Sequence, residues 1–421
     1  MVQRIAFRSR LFYLTLIAAT ALGSASLLAA EDRPLQVIVS KQQQSLVVYD
    51  GDTVIATSHV STGKKGHATP TGIFSILQKA RHHRSNIYSN APMPFMQRLT
   101  WSGIALHASG HVPAYPASHG CVRMPNDFAK SLFGMTSMGM HVLISEQQVT
   151  PASIEHAFLF RPRPPSPPLL SDVELRPTVS HLPSQSASVE VAMQEQPNPQ
   201  RMEMPEGSPI RMLITWRGQR ETTMDVQRLL SELGFNPGIA DGFAGSQTLD
   251  AIRAFQESEG LKVDPRITAD LVALLYRKTG KGTPANGQIM IRRDFLPVFE
   301  APITIADPQR ALGTHFMQFL AVDDKDDKAT EKGGEWYATT LDNTLPKAMK
   351  TRLGITEDAD PLVYNAAALT LARLSLDPET RERIELMLVD GSSLTVSDNG
   401  LGPETGKGTD FITITHAASK G

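Results

Sequence analysis

The sequence predicts a multidomain chain: a mostly-β domain, then a small three-helix bundle beyond a proline-rich spacer, then an α+β domain. Three observations predict it. Short β-branched runs alternate with turns up to residue 146, prolines crowd between Pro151 and Ile210, and apolar residues recur at helical spacing from Asp225 to Tyr276. At 421 residues the chain is long enough to bury two or three separate cores.

The N-terminus reads as a targeting segment. Arg4, Arg8 and Arg10 form a basic region, and Leu11 to Ala30 then runs without a charge. Small residues at Gly23-Ser24-Ala25 or Leu28-Ala29-Ala30 offer cleavage sites, so residues 1–30 are expected to be a signal peptide of an exported protein. Left uncleaved, the same stretch is about long enough to anchor the chain in a bilayer.

Residues 34–146 form the β domain. Leu35–Val39 and Leu46–Tyr49 are strands, followed by an Asp50-Gly51 turn and the Val54-Ile55 run. Ile73–Ile76, Gly103–Leu106 and His141–Ile144 continue the pattern. Asn126 is expected to cap a short helix with Phe128 and Leu132 on one face and Gly134 at its end.

Twelve of the 29 prolines fall between Pro151 and Ile210, densest from Arg161 to Pro168. Such density favours extended polyproline II, so residues 150–212 read as a semi-rigid linker. Residues 222–278 form the bundle. Val226, Leu229, Leu230 and Leu233 share a face ended by Gly234; Leu249, Ile252 and Phe255 define a second helix, and Leu271, Leu274 and Leu275 a third, capped by Thr268.

Residues 284–421 alternate strands (Ile289–Ile291, Phe316–Val322, Trp336–Leu341, Phe411–Ile414) with helices near Val363–Leu374 and Pro378–Val389. Gly402 to Thr409 suggests a phosphate loop but fails: its glycines are one residue too close, and Lys407 precedes Gly rather than Ser or Thr. Asp323 to Asp327 lacks the glycine and terminal Glu of an EF-hand loop and reads as a solvated hairpin tip.

Several function classes drop out. A net charge of -2 leaves no basic footprint for nucleic acid. No His-Glu-x-x-His occurs, and His82-His83 and His111 lack ligand spacing and read as exposed loop residues. His141, inside an apolar run, reads as a strand residue facing solvent or a satisfied core group. No metal and no other cofactor is expected.

The chain's one cysteine, Cys121, excludes an internal disulfide. It stands in Ser118-His119-Gly120-Cys121-Val122-Arg123, with His107 upstream. A thiol attacks as thiolate and needs a base beside it. His107 is the expected base, able to return the proton to a leaving amine. Gly120 lets backbone approach a substrate closely, and its N–H with that of Cys121 is expected to stabilise an oxyanion. These are the parts of a cysteine acyltransferase.

His107-Ala108, Gly110 and Ser118 to Arg123, preceded by Ser61-Thr62-Gly63 and Thr69-Pro70-Thr71-Gly72-Ile73-Phe74, resemble the signature of the L,D-transpeptidases with YkuD-type catalytic domains. Gln227, Leu230, Leu233-Gly234-Phe235, Asp241-Gly242, Gly245, Thr248, Ala251-Ile252 and Phe255-Gln256 resemble the peptidoglycan-binding domain found on bacterial wall enzymes. The first resemblance implies attack by Cys121 on the third residue of a wall stem peptide, release of D-alanine, and transfer to an amine of another stem or of an envelope protein. Transfer to water instead makes the chain an L,D-carboxypeptidase, and a retired site makes it a wall-binding scaffold. His107 is implied as proton shuttle oriented by the Ala108 carbonyl, and His119 as support of the site. Arg123 is implied as partner of a substrate carboxylate; Ser118 and Gly120 are implied on the substrate-binding side, with Ser118 and Asn126 holding the loop by hydrogen bonding. The stretch Tyr88–Gln97 falls where relatives carry a lid, and carbapenem-type β-lactams are expected to acylate Cys121. A periplasmic or cell-envelope location follows from the signal segment and the substrate together.

Overall fold

A computed structural model of the protein describes residues 34–85, 90–163, 207–321, 333–406 and 408–416. The expected signal segment, most of the proline-rich stretch, Tyr88, Asp323–Asp327 and Lys407 lie outside the described residues.

The first part of the chain supplies β1 (Gln36–Ser40), β2 (Ser45–Asp50), β3 (Thr53–His59), β4 (Thr71–Ser75), β5 (Gln78–Ala80), β6 (Met96–Arg98), β7 (Ala105–Ala108), β8 (Val122–Met124), α1 (Asn126–Met135) and β9 (His141–Ser145). Sheet I has the order β4-β9-β1-β2-β3, with β1 and β9 parallel and the other neighbours antiparallel. A smaller sheet II runs β5-β6-β7-β8, with β7 and β8 parallel. Side chains alternate between the faces of a strand. Val37, Val39, Val48, Phe74, Val142 and Ile144 therefore meet Leu106, Val122 and Leu132 in one core, while Ile38, Val47, Tyr49, Ile73 and Leu143 face the other way. Both faces are covered, so these strands read as unbroken apolar runs.

Helix α1 departs from expectation at its start. Pro125 occupies the capping position, Asn126 is the first helical residue, and no side chain caps the end. Proline's fixed φ already suits helix entry. The helix also passes through Gly134 to Met135.

The rest of the chain adds β10 (Ala152–Ile154), β11 (Ile210–Trp216), α2 (Gln219–Glu232), α3 (Ser246–Ser258), α4 (Ala269–Lys278), β12 (Gly287–Arg293), β13 (Leu296–Ile305), β14 (Thr314–Leu320), β15 (Glu335–Leu341), α5 (Lys347–Leu353), α6 (Ala366–Leu371), β16 (Leu374–Ser375), α7 (Pro378–Glu385), β17 (Ser393–Ser397) and β18 (Thr413–His416). Eight of these strands form sheet III, ordered β10-β15-β14-β17-β11-β12-β13-β16. The stretch expected to be a linker therefore begins and ends inside this sheet. Phe158, Leu159 and Phe160 pack into its core, and the Trp336 indole donates to the Phe160 carbonyl at 2.9 Å. Strand β11 lies at the sheet's centre, parallel to β17 and antiparallel to β12. The apolar residues flanking the prolines outweigh the local proline signal, because burying them is worth about 1.5–3 kcal/mol per large side chain.

The bundle is an insertion in a β-hairpin. β11 and β12 pair from Ile210 opposite Arg293 to Trp216 opposite Gly287, and the three helices leave and return at that end. α2 starts at Gln219, ahead of the expected Asp225, because the Glu221 carboxylate accepts the Gly218 N–H at 2.9 Å and stabilises the extra turn. Thr268 caps α4 as expected, accepting from the Leu271 N–H at 3.3 Å. Asp225 pins the bundle's base, 2.8 Å from Arg217 and accepting the Tyr276 hydroxyl at 2.6 Å.

Sheets I and III meet face to face. Phe316 and Leu341 of sheet III cover Ile38, Val47, Tyr49, Ile73 and Leu143. His141 lies at this junction as a buried core group, its Nε2 2.9 Å from the Ser393 hydroxyl and its ring 4.6 Å from that of Phe316. Burial, reinforced by Arg211, pushes its pKa well below the usual imidazole value. The chain then returns to its beginning: β18 pairs antiparallel with β4 and becomes the edge strand of sheet I.

Candidate active site

β7 and β8 set the geometry around the thiol. His107 lies opposite Arg123 and Leu106 opposite Val122, and continuing the ladder by one residue puts Cys121 beside Ala105. Opposed residues share a face and faces alternate along each strand, so Cys121, Arg123 and His107 project to the same side. The Cys121 thiol donates to the Gly103 carbonyl at 3.3 Å and packs against Met93, Met96 and Ala105.

His107 is buried, with 8% of its surface exposed, and its Nδ1 lies 2.8 Å from the Ala108 carbonyl oxygen. A carbonyl only accepts, so Nδ1 carries the proton and the lone pair is left on Nε2. Burial lowers the His107 pKa, with Arg123 and His83 acting the same way against the Ala108 bond. Burial raises the Cys121 pKa, opposed by the Ala105 N–H and by Arg98 and Arg123. The resting pair at neutral pH is thus a thiol and a neutral imidazole rather than an ion pair. Alkylation of Cys121 by iodoacetamide, followed by intact mass, is expected to be slow at neutral pH. It should rise with pH through a midpoint above the ordinary thiol value of about 8.5. A midpoint near 7 would contradict this resting state.

The loop ahead of the thiol is held by hydrogen bonds. The Ser118 hydroxyl donates to the Cys121 carbonyl and accepts the Gly120 N–H at 3.1 Å. The buried Ser118 hydroxyl thus holds the loop, the role the resemblance implies for it, and is engaged there rather than with a substrate. One expectation changes: the Gly120 N–H is donated to Ser118 and is not offered to an oxyanion. Gly120 sits at φ +114°, and a β-carbon there would meet Ile104 at 3.0 Å. Glycine is required for this turn.

The two sequence blocks are joined through Thr69. Its hydroxyl donates to the Gly120 carbonyl at 2.7 Å and accepts the Gly63 N–H at 2.8 Å. Ser61 and Arg123 exchange both backbone bonds at 3.0 Å. Gln44 locks the Ser61 to Gly63 segment from behind, accepting the Thr62 N–H at 2.8 Å and donating to the Thr62 hydroxyl at 2.7 Å. Sequence reasoning missed Gln44. It ends a run of three glutamines, Gln42 to Gln44, and only its positive φ of 48° turns it inward.

His119 lies on the side of this second block. Its ring is 4.8 Å from that of His67, and its pKa is lowered by desolvation and then by the charges of Lys64, His67 and Arg123. Arg123 is half-buried, and among the described residues no carboxylate pairs with its guanidinium, Asp127 included. Met93 and Met96 bring the expected lid stretch against the thiol. Among the described residues no three His, Cys, Asp or Glu converge as a metal cluster, and no helix is long and apolar enough to cross a membrane.

Residues 34–144 match the L,D-transpeptidase catalytic domain model, and residues 219–275 match a peptidoglycan binding domain model. The L,D-transpeptidase YqjB of Bacillus subtilis (strain 168) is 30% identical over 143 residues, covering 30% of this chain and 80% of that protein. Solved structures give smaller overlaps. An L,D-transpeptidase from Stackebrandtia nassauensis is 27% identical, covering 30% of this chain and 62% of its own, with a TM-score of 0.26. One from Mycobacterium smegmatis is 20% identical, covering 27% and 58%, with a TM-score of 0.25. The chain thus spans about three fifths of the solved relatives it matches.

Proposed function

Since the chain belongs to the L,D-transpeptidase family, we propose that it is a cysteine acyltransferase of the bacterial cell wall, acting on peptidoglycan stem peptides in the envelope. The observation that carries this reading is the shared face of Cys121 and His107, with Nδ1 of His107 tied to the Ala108 carbonyl.

Cys121 Sγ attacks the carbonyl carbon of the stem's third residue while His107 Nε2 takes the thiol proton. The tetrahedral adduct collapses, the bond to the terminal D-alanine nitrogen breaks, and His107 returns the proton to that amine. A thioester on Cys121 remains. An acceptor amine then attacks it, giving its proton to His107, and the thiol is restored as the new amide forms. Arg123 pairs with a substrate carboxylate through its planar fork. His119, beside His67 and Lys64, shapes the opposite wall.

The acceptor is a second stem, a protein amine or water. Mass spectrometry of wall fragments incubated with the purified chain distinguishes them. D-Alanine release with a cross-link between stems supports transpeptidation. Release without a new amide makes the chain an L,D-carboxypeptidase, and no release overturns the acyltransferase reading.

The bundle is proposed to hold the chain on peptidoglycan, raising the local substrate concentration. Its loop from Asp241 to Thr248 is the proposed binding edge; Phe243 is 68% exposed and Ile239, just ahead of it, 85%. Truncating everything after Ile210 does not test this, because that cut removes sheet III and β18. Excision at the hairpin does: joining Arg217 to Asn286 through an Asn-Gly turn closes β11 onto β12. The shortened chain is expected to keep turnover of a soluble peptide and to lose sedimentation with insoluble peptidoglycan. Undiminished sedimentation would make the bundle structural.

A further inference from the structure

The C-terminal segment reaches both walls that hold the thiol. On one side, β18 pairs with β4, just beyond Thr69, the residue that holds the Gly120 carbonyl. The approach is close: a β-carbon on Gly72 would lie 2.1 Å from the Thr413 carbonyl oxygen, and the Thr71 and Thr415 hydroxyls are 2.8 Å apart. On the other side, the loop before β18 touches the tip between β6 and β7. The Glu404 carboxylate accepts the Trp101 N–H at 3.0 Å on one oxygen and the Ser102 N–H at 3.2 Å on the other. The next residue of that tip is Gly103, whose carbonyl accepts the Cys121 thiol.

Glu404 and its neighbour Thr405 are themselves held by hydrogen bonds. The buried Thr409 hydroxyl donates to the Glu404 carbonyl at 2.9 Å, and the Thr405 hydroxyl accepts the Ile412 N–H at 3.0 Å. Ile412 is anchored in the core beneath sheet I, and Asp410 lies 3.6 Å from Arg211. Glu404 is therefore a fixed acceptor pair presented to two adjacent N–H groups.

Resting on the acyltransferase reading above, we propose that Glu404 is a positioning residue of the acyl-transfer site: its carboxylate holds the β6–β7 tip, and with it the Gly103 carbonyl that fixes where Cys121 Sγ rests before its proton passes to His107. Glu404 touches no reacting atom and acts through Trp101, Ser102 and Gly103. Glu404, within the stretch that fails as a phosphate loop, thereby acquires a role.

The test uses the full chain with Glu404→Ala and Glu404→Gln. Three quantities are measured: kcat/KM on a donor stem peptide, the pH profile of Cys121 alkylation, and the thermal midpoint. Misplacement of a reacting group by a fraction of an ångström to 1 Å costs up to about 10²-fold, so the alanine variant is expected to lose about tenfold in kcat/KM with KM little changed. The Gly103 bond favours only the protonated thiol, so releasing it moves the alkylation midpoint to lower pH. The charges acting on the thiol, on Arg98 and Arg123, are altered in neither variant, although Arg98 lies over the Trp101 ring at 5.6 Å and shares any movement of the tip. Glutamine retains one acceptor and is expected to recover part of both effects.

Activity and alkylation profiles identical to those of the unmodified chain would overturn the proposal. So would equal shifts in both variants that vanish in high salt, the mark of a lost charge alone. Should the alanine chain not fold, the glutamine chain decides by the same criteria. Alkylation reads the thiol whether or not the chain transfers acyl groups. An unmodified chain that releases no D-alanine, with a shifted Glu404→Ala alkylation profile, would therefore overturn the proposed function and leave the thiol contact standing.

Discussion

Cys121→Ala is expected to abolish acyl transfer entirely while leaving the chain folded. No other residue in the sequence offers a thiol, so nothing replaces the nucleophile. The substitution removes one sulfur from a half-buried position beside Met93, Met96 and Ala105, at a cost of about 1 kcal/mol. The thermal midpoint should move by only a few degrees. A carbapenem should add its mass to the unmodified chain and not to this variant, which separates a missing nucleophile from a distorted pocket. Full turnover by the alanine variant would end the reading of Cys121 as nucleophile, whereas no turnover by the unmodified chain would leave a wall-binding scaffold.

His107→Ala is expected to lower kcat/KM by roughly 10²–10⁴-fold, the range for loss of a general acid–base. The loss should be smaller at high pH, because hydroxide then makes the thiolate that His107 otherwise assists. In the unmodified chain, activity should fall on the acid side as His107 takes up a proton. That limb is expected below the ordinary imidazole value of 6.5, because burial depresses the His107 pKa. The sign is the informative part: a limb above 6.5 would mean an imidazolium stabilised by a thiolate, the opposite of the resting pair deduced here. His119→Ala should be much milder, since that ring is set against His67 rather than tied to the Ala108 carbonyl. A His119→Ala loss far exceeding that of His107→Ala would reverse the two roles.

The strands and the site were legible in the sequence to very different depths. Leu35–Val39, Leu46–Tyr49 and His141–Ile144 announce themselves by β-branched runs, and the three helices by their apolar spacing; the observed elements contain them with small shifts at the ends. The Cys121 segment was legible because its chemistry is written in adjacent residues. Thr268 as a cap was also readable, since a capping hydroxyl acts three residues away. The inward turn of the Gly120 N–H was not. It depends on the Ser118 rotamer, and either an inward or an outward N–H is compatible with the same letters.

By itself, then, the sequence pointed to the proposed nucleophile and base and determined the strands and helices with strong local periods, such as Leu46–Tyr49 and the three bundle helices, because those signals rest on short stretches of chain. Tertiary structure alone decided that the ends of the proline-rich stretch belong to sheet III, that the bundle is inserted in the β11–β12 hairpin, and that β18 closes sheet I. It also decided that Glu404 meets the thiol's hairpin from 303 residues away. Pairings at such separations depend on which edges and faces remain uncovered once the nearer contacts have formed, and on a closure entropy that grows only slowly with loop length. No local period or motif encodes them.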